Sequence, residues 1–305
     1  MISLAPEAVI IALGFVFTKT GWFPEHALKG LSKFAYGIAI PFLLFYTMAK
    51  LELPDQPPWA LWSSYIGGTL VLMACFSLFC RKVMNQSPAG AASMAIAGGF
   101  SNLVVLGIPF NLSIIGPQAA YPVFAIISIH AFSLIAFATL MAELKSGANL
   151  LLSMWTTVKD TLSNPVIIGL LSGILWAYFD LPLYALMYKT IGKLSGAALP
   201  VALFALGGTL AGLRLKGSMS KISLMLISKL CLHPLLVSVL ALYVFKLPPT
   251  YATVCILCAC LPTGINGFLF ASHYQQSERS VAGLILITTP LGLLLYALVA
   301  SILLP

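Results

Sequence analysis

Residues 99–111 read GFSNLVVLGIPFN. Most of this stretch is apolar enough to lie in a lipid bilayer. It nevertheless carries Gly99, Ser101, Asn102, Gly107, Pro109 and Asn111, residue types that weaken or cap helices. A proline removes a backbone donor, and its ring clashes with the carbonyl four residues earlier. At membrane depth the freed amides and carbonyls are tolerated only where protein buries them or where they line a wet cavity. The stretch therefore predicts a membrane helix broken near its centre, with Pro109 marking the break.

The whole chain supports that setting. It has 305 residues, 60% hydrophobic and 8% charged, with a mean hydropathy of +1.01. Soluble domains carry about 25% charged residues. So few charges cannot make a soluble surface, and the class is an all-α polytopic membrane protein. Ten apolar runs are long enough to be spans: 2–19, 29–49, 59–80, 89–112, 119–142, 164–180, 195–213, 222–245, 250–272 and 280–303. Alternating barrel strands are absent from the pattern. The first run lacks a basic leader and a small-residue cleavage site and carries Glu7, so it reads as a span rather than a signal peptide.

Lys and Arg set the expected orientation. Ten spans put both termini on one face. Loops on the opposite face hold eleven basic residues, and loops on the terminal face hold four. Both termini are therefore expected to face outward, away from the cytoplasm. The net charge of +8 is thus a topology signal, and no nucleic-acid partner is expected. Cys75, Cys80, Cys231, Cys255, Cys258 and Cys260 all fall in spans, without acidic or His company that would make a ligand set. No metal, cofactor or structural disulfide is expected.

The chain also repeats itself. Pro6 and Pro165 differ by 159 positions, Pro24 and Pro182 by 158, and Pro41 and Pro200 by 159. These landmarks align spans one and two with spans six and seven. Five is odd, so the second half enters the membrane from the opposite face, an inverted repeat of the kind found in secondary transporters. The expected parts are residues 1–143, a linker with an interfacial helix at 144–163, and residues 164–305. Span four then requires a partner in span nine, and residues 261–271, LPTGINGFLFA, supply it with Pro262, Gly264, Asn266 and Gly267. Two broken helices entering from opposite faces can cross at the midplane. Their half-helix N-termini then aim partial positive charge at one place. Gly107, Pro109, Pro262 and Gly264 would shape such a site. The amides of Asn102, Asn111 and Asn266 would supply uncharged donors and acceptors.

At this point the chain resembles the auxin efflux carrier family, bacterial type, over essentially its whole length. The marks are SNLVVLGIP with Asn102, Gly107 and Pro109; SNPVIIGLLSG with Asn164 and Pro165; LPVALFALGGTLAG with Pro200 and Gly207; KLCLHPLL with Lys229 and Pro234; and LPTGINGFLFASHY with Pro262, Asn266, Ala271 and Tyr274. The resemblance implies ten helices in a fold like the sodium/bile-acid symporters and sodium/proton antiporters, with crossed broken helices four and nine. It implies a scaffold of spans one, two, six and seven, a transport domain of spans three to five and eight to ten, an elevator motion, and a homodimer through the scaffold. It implies organic anions as substrates. Val104 stands where the family pattern has glycine.

Ionisable residues inside spans are functional candidates by default. Lys229 lies about two turns into span eight, with His233 four residues on and on the same face. Lys229 either faces the crossover and attracts an anion or snorkels to the interface. His130, near the middle of span five, and His233 are candidates for a proton or anion path. No Asp or Glu lies near either break, which argues against sodium coupling and against a carboxylate proton relay. The expected function is a secondary active or potential-driven carrier of small organic anions such as carboxylates, with lipid around it and export compatible with the charge. A sodium- or proton-coupled symporter of the same fold is the alternative. An intramembrane enzyme would need paired acids, a metal cluster or an activated nucleophile, and none is visible. Residues 148–163 and 181–194 read as interfacial helices, with Trp155, Tyr184 and Tyr188 at headgroup level.

Overall fold

A computed structural model describes residues 5–50, 58–143, 155–156, 158–160, 162–213 and 217–304. These residues are almost entirely helical. In chain order the helices are α1 (Ala5–Lys19), α2 (Glu25–Met48), α3 (Trp59–Lys82), α4 (Pro88–Gly99), α5 (Leu103–Ile114), α6 (Pro117–Glu143), α7 (Pro165–Tyr178), α8 (Ala185–Gly212), α9 (Met219–Val244), α10 (Pro249–Cys260), α11 (Ile265–His273) and α12 (Glu278–Leu303). Six of them, α2, α3, α6, α8, α9 and α12, are long and apolar enough to cross a membrane. Helices α5, α7 and α10 are shorter apolar segments.

Helix starts follow local chemistry. Ser87 caps α4 by accepting from Gly90 N at 3.0 Å, with Pro88 at the first helical position. Asn164 does the same for α7, accepting from Val166 N at 2.9 Å ahead of Pro165. Inside helices the prolines are met differently. Wide π-turns occupy 35–39, 103–107 and 228–232, and in each case a proline follows two residues later: Pro41, Pro109 and Pro234. A π-turn offsets the carbonyl that a proline ring would strike and absorbs the missing donor. The helix therefore continues past these prolines.

The chain divides into two compact units. One comprises residues 1–57, 108–124 and 160–212; the other comprises 58–107, 125–159 and 213–305. In the first, α1 packs on α8 and α2 on α7 at backbone distance. A Cβ on Gly14 would lie 2.1 Å from Phe204 O, and one on Gly207 would lie 1.9 Å from Ile11 O. A Cβ on Gly173 would meet Phe45 O at 3.0 Å, and one on Gly169 would meet Pro41 O at 2.4 Å. Only glycine permits these crossings, the small-residue packing typical of membrane helices. In the second unit the interior is built from α3, α4, α9, α10 and α12.

One expectation differs from the structure. Residues 185–194 do not form a separate interfacial helix; they are the opening turns of the continuous α8. Nothing between them and Pro200 interrupts the helical run. The other expected interfacial helix, 148–163, has residues 148–154, 157 and 161 outside the described residues; Trp155 is helical and exposed.

Candidate functional site

The chain leaves helical geometry between α4 and α5, at residues 100–102, and again between α10 and α11, at residues 261–264. The two breaks pair with each other. Ser101 and Thr263 form an antiparallel bridge. Asn102 N donates to Pro262 O at 2.9 Å, and Gly264 N donates to Phe100 O at 2.9 Å. Thr263 Oγ1 donates to Ala97 O at 3.0 Å, one of the carbonyls that the end of α4 leaves open. Each unsatisfied backbone group would cost several kcal/mol in a dry interior. Each break thus supplies the partners the other needs. Pro262 has no N–H to leave bare and contributes only its carbonyl. A side chain at Gly264 would press on Phe100 and Ser101, with 3.0 Å from Cβ to Phe100 Cδ1.

The break sits earlier in span four than Pro109. Pro109 lies inside α5, behind the π-turn at 103–107, and does not interrupt it. Asn102 is the residue whose carbonyl accepts the first bonds of α5, from Leu106 N at 3.3 Å and Gly107 N at 3.1 Å. Asn266 is the second residue of α11. Both Asn side chains are half-buried, whereas Ser101 and Thr263 beside them are buried. Among the described residues neither Asn side-chain amide has a hydrogen-bond partner, so both are open to a ligand. First-turn amides of two helices, which lack intrahelical acceptors, accompany them.

Beneath the pairing lies Lys229, fully buried in α9. It does not snorkel. Its Nζ donates to Ser101 Oγ at 2.8 Å and to Ala259 O at 2.9 Å, and lies 3.0 Å from His233 Nδ1. Ser101 belongs to the first break, and Ala259 to the last turn of α10 just before the second. One ammonium therefore ties both. His233 Nε2 lies 2.8 Å from Thr69 Oγ1, which donates to Tyr65 O at 2.6 Å in α3. Among the described residues no carboxylate joins this group.

The sequence profile described as "Membrane transport protein" matches residues 1–300. The chain belongs to this membrane transport family. The match agrees with the resemblance to auxin efflux carriers read from the sequence. A Rhizobium meliloti protein named "Putative malonate transporter" is 27% identical over 285 residues, which span 93% of this chain and 89% of that protein. A Methanothermobacter thermautotrophicus protein named "Uncharacterized transporter" is 22% identical over 287 residues, 93% of this chain and 92% of the relative.

In this membrane transport protein the remaining candidates are more dispersed. Gly107 closes the π-turn of α5, where a Cβ would meet Leu261 Cδ1 at 3.1 Å. Asn111 is buried within α5. Pro109 lines a cavity of about 390 Å³ together with Glu7, Ser113 and Pro200. His130 is buried between the rings of Phe100, at 4.4 Å, and Tyr65, at 5.7 Å, and neither of its ring nitrogens has a hydrogen-bond partner. Sequence reading missed Thr69, Thr263 and the carbonyl of Ala259. Ser101 was visible in the quoted stretch as a helix weakener, but its bond to Lys229 spans 128 positions.

Proposed function

We propose that the chain is an elevator-type carrier that moves small organic anions, carboxylates among them, across the cell membrane. The observation that carries this reading is the pair of mutually bonded helix breaks, with the open amides of Asn102 and Asn266 at the starts of α5 and α11 and the Lys229 ammonium beneath. Two helix N-termini, two neutral amides and one buried cation suit a carboxylate. The malonate named for the Rhizobium relative is a dicarboxylate, and the site chemistry is compatible with it.

The finer architecture belongs to the same proposal. Taking α4 with α5 and α10 with α11 as single interrupted spans gives ten crossings in two inverted five-helix repeats. The glycine contacts support this. Gly14 meets Phe204 and Gly173 meets Phe45, and a shift of 159 positions carries one pair onto the other. A scaffold of α1, α2, α7 and α8 and a moving part built on α3, α4, most of α6 and α9–α12 follow the division into units, except that residues 108–124, most of α5 and the start of α6, group with the scaffold helices. A homodimer through the scaffold and termini outside the cytoplasm complete the picture.

Transport need not consume a second ion. Moving one negative charge outward against an inside-negative potential of 100 mV gains about 2.3 kcal/mol. The test is radiolabelled malonate flux in proteoliposomes across a panel of mono- and dicarboxylates, with imposed potentials and with or without sodium. Potential-driven, sodium-independent flux is the expected result. Flux that needs sodium at every potential favours the symporter alternative, and absence of carboxylate flux overturns the substrate class.

A further inference from the structure

The hydrogen bonds around Lys229 have directions that can be worked out atom by atom. Thr69 Oγ1 carries one proton and has two neighbours, Tyr65 O at 2.6 Å and His233 Nε2 at 2.8 Å. A backbone carbonyl only accepts, so the Thr69 proton goes to Tyr65 O. The Thr69 oxygen is then left to accept, and His233 Nε2 must be the donor. A neutral imidazole that carries its proton on Nε2 presents Nδ1 as an acceptor. Lys229 Nζ lies 3.0 Å from that Nδ1. A proton on Nδ1 would instead face the ammonium donor to donor. The other two ammonium protons go to Ser101 Oγ and Ala259 O. The three ammonium donors thus meet three acceptors.

We propose that Thr69 is a positioning residue: through His233 it fixes Lys229 in the one arrangement that holds both helix breaks, and the chain they form orients charge without conducting protons. The chain runs Lys229 to His233 to Thr69 to the carbonyl of Tyr65 and stops. A proton wire must be able to reverse all its bonds, and a carbonyl has no proton to return. The bordering titratable groups do not extend it. His130 touches Tyr65 by ring contact and has no hydrogen-bond partner. The Tyr65 hydroxyl bonds with Ser101, the partner of Lys229, and reaches the carbonyl of Cys258 at 3.5 Å, so this second branch also ends on a carbonyl. Cys255 and Cys260 are free thiols on the neighbouring α10. Thr69 packs on Gly99 beside the first break but has no hydrogen bond to either break; it acts across 164 positions of sequence through His233. The functional arm of this inference rests on the transport reading above, and the structural arm does not.

The test combines a spectroscopic signature with flux. The chain has four histidines, so nitrogen-15 histidine labelling gives a resolvable spectrum, and His233→Asn identifies the His233 signals. The expected result is an Nε2–H tautomer for His233 that persists across the neutral pH range. Thr69→Val removes the acceptor of the Nε2 proton at similar volume, so the Nε2–H signal should shift and broaden as its hydrogen bond is lost, while the ammonium still holds Nδ1 as an acceptor. Thr69→Ser should restore the wild-type pattern, and an unchanged Nε2–H signal in Thr69→Val overturns the role given to Thr69. For malonate flux, Thr69→Val should raise KM by about three- to tenfold, the loss of one hydrogen bond, with charge moved per malonate unchanged. Thr69→Ser should stay within about twofold of wild type. An Nδ1–H tautomer or an imidazolium in the wild type overturns the proposal. So does charge per malonate that varies with pH in the wild type and ceases to vary in Thr69→Val, the behaviour of a wire. If Thr69→Val does not fold, the wild-type tautomer and the wild-type charge ratio still decide. If no carboxylate moves in the wild type, the transport reading fails while the tautomer stands or falls by itself.

Discussion

Replacing Lys229 with Met removes the charge and keeps the chain length. Two effects of different character follow. The first is structural: Ser101 Oγ, Ala259 O and His233 Nδ1 lose their shared donor. Ser101 can rotate, but His233 is held by Thr69 and Ala259 O is fixed in the last turn of α10. One buried carbonyl left bare costs about 1–3 kcal/mol, partly offset because a buried charge has also gone. The second effect is electrostatic. Ser101 Oγ is 2.8 Å from Nζ, and Asn102 is the next residue. A carboxylate at the Asn102 amide would sit on the order of 8 Å from the ammonium. At an effective dielectric constant of about 20 the attraction is about 2 kcal/mol per negative charge. Lys229→Met should therefore weaken a monoanion about thirtyfold and a dianion about a thousandfold. The structural loss is common to all substrates, so the ratio between dianion and monoanion isolates the charge. The assay is competition of a dicarboxylate and its half-amide against labelled malonate in proteoliposomes. Lys229→Arg keeps the charge but offers a planar fork to three converging acceptors; it should keep the selectivity ratio while losing stability. A ratio unchanged in Lys229→Met would refute the electrostatic reasoning and leave the lysine as a tie between the breaks alone.

Asn102→Ala and Asn266→Ala should each weaken malonate by about 1.5–3 kcal/mol, the value of a hydrogen bond to a charged group, with unchanged thermal unfolding; unchanged affinity in the double replacement removes both amides from the site. Cysteines at positions 102 and 266, in a background without the six native cysteines, should react with small aqueous thiol reagents and be protected by malonate, and their inertness from both faces would sink the wet-cavity reading. Gly207→Ala drives a methyl to 1.9 Å from Ile11 O, so thermal unfolding should show a loss of at least about 1–3 kcal/mol. Gly196→Ala, in the same helix with nothing within 4 Å of the new Cβ, should instead stabilise by about 0.5–1 kcal/mol.

Much of the helical content was legible in the sequence because apolar runs of membrane length have few other physical solutions. The break in span four was legible in kind and misplaced in position. Pro109 looks like a breaker, yet the π-turn ahead of it absorbs the missing donor, as others do before Pro41 and Pro234. The true break is set by its partner: residues 100–102 are extended because residues 261–264 lie alongside to bond them. No local signal encodes a pairing across so many positions. The direction of Lys229 was equally undecidable, since its side chain could reach either the interface or the interior. Thr69 gave no signal at all, being one hydroxyl in an apolar run whose meaning depends on a histidine in another helix.

The mutual bonding of the breaks also bears on why both halves are interrupted. One broken helix alone would leave amides and carbonyls bare, at several kcal/mol each. A second break facing it removes that cost, so an interruption in one half requires an interruption in the other. On the repeat reading the two halves should then be alike wherever they only support one another, and the glycine pairs of the scaffold are alike. They differ where the site needs a sign. Lys229 in the second half falls, at the offset of 159, opposite Leu70 in the first. Two lysines converging on one buried pairing would repel at short range with no acid to separate them. A single cation, supplied by one half and oriented from the other through Thr69, gives the site a net charge of one sign and lets the paired breaks remain closed around it.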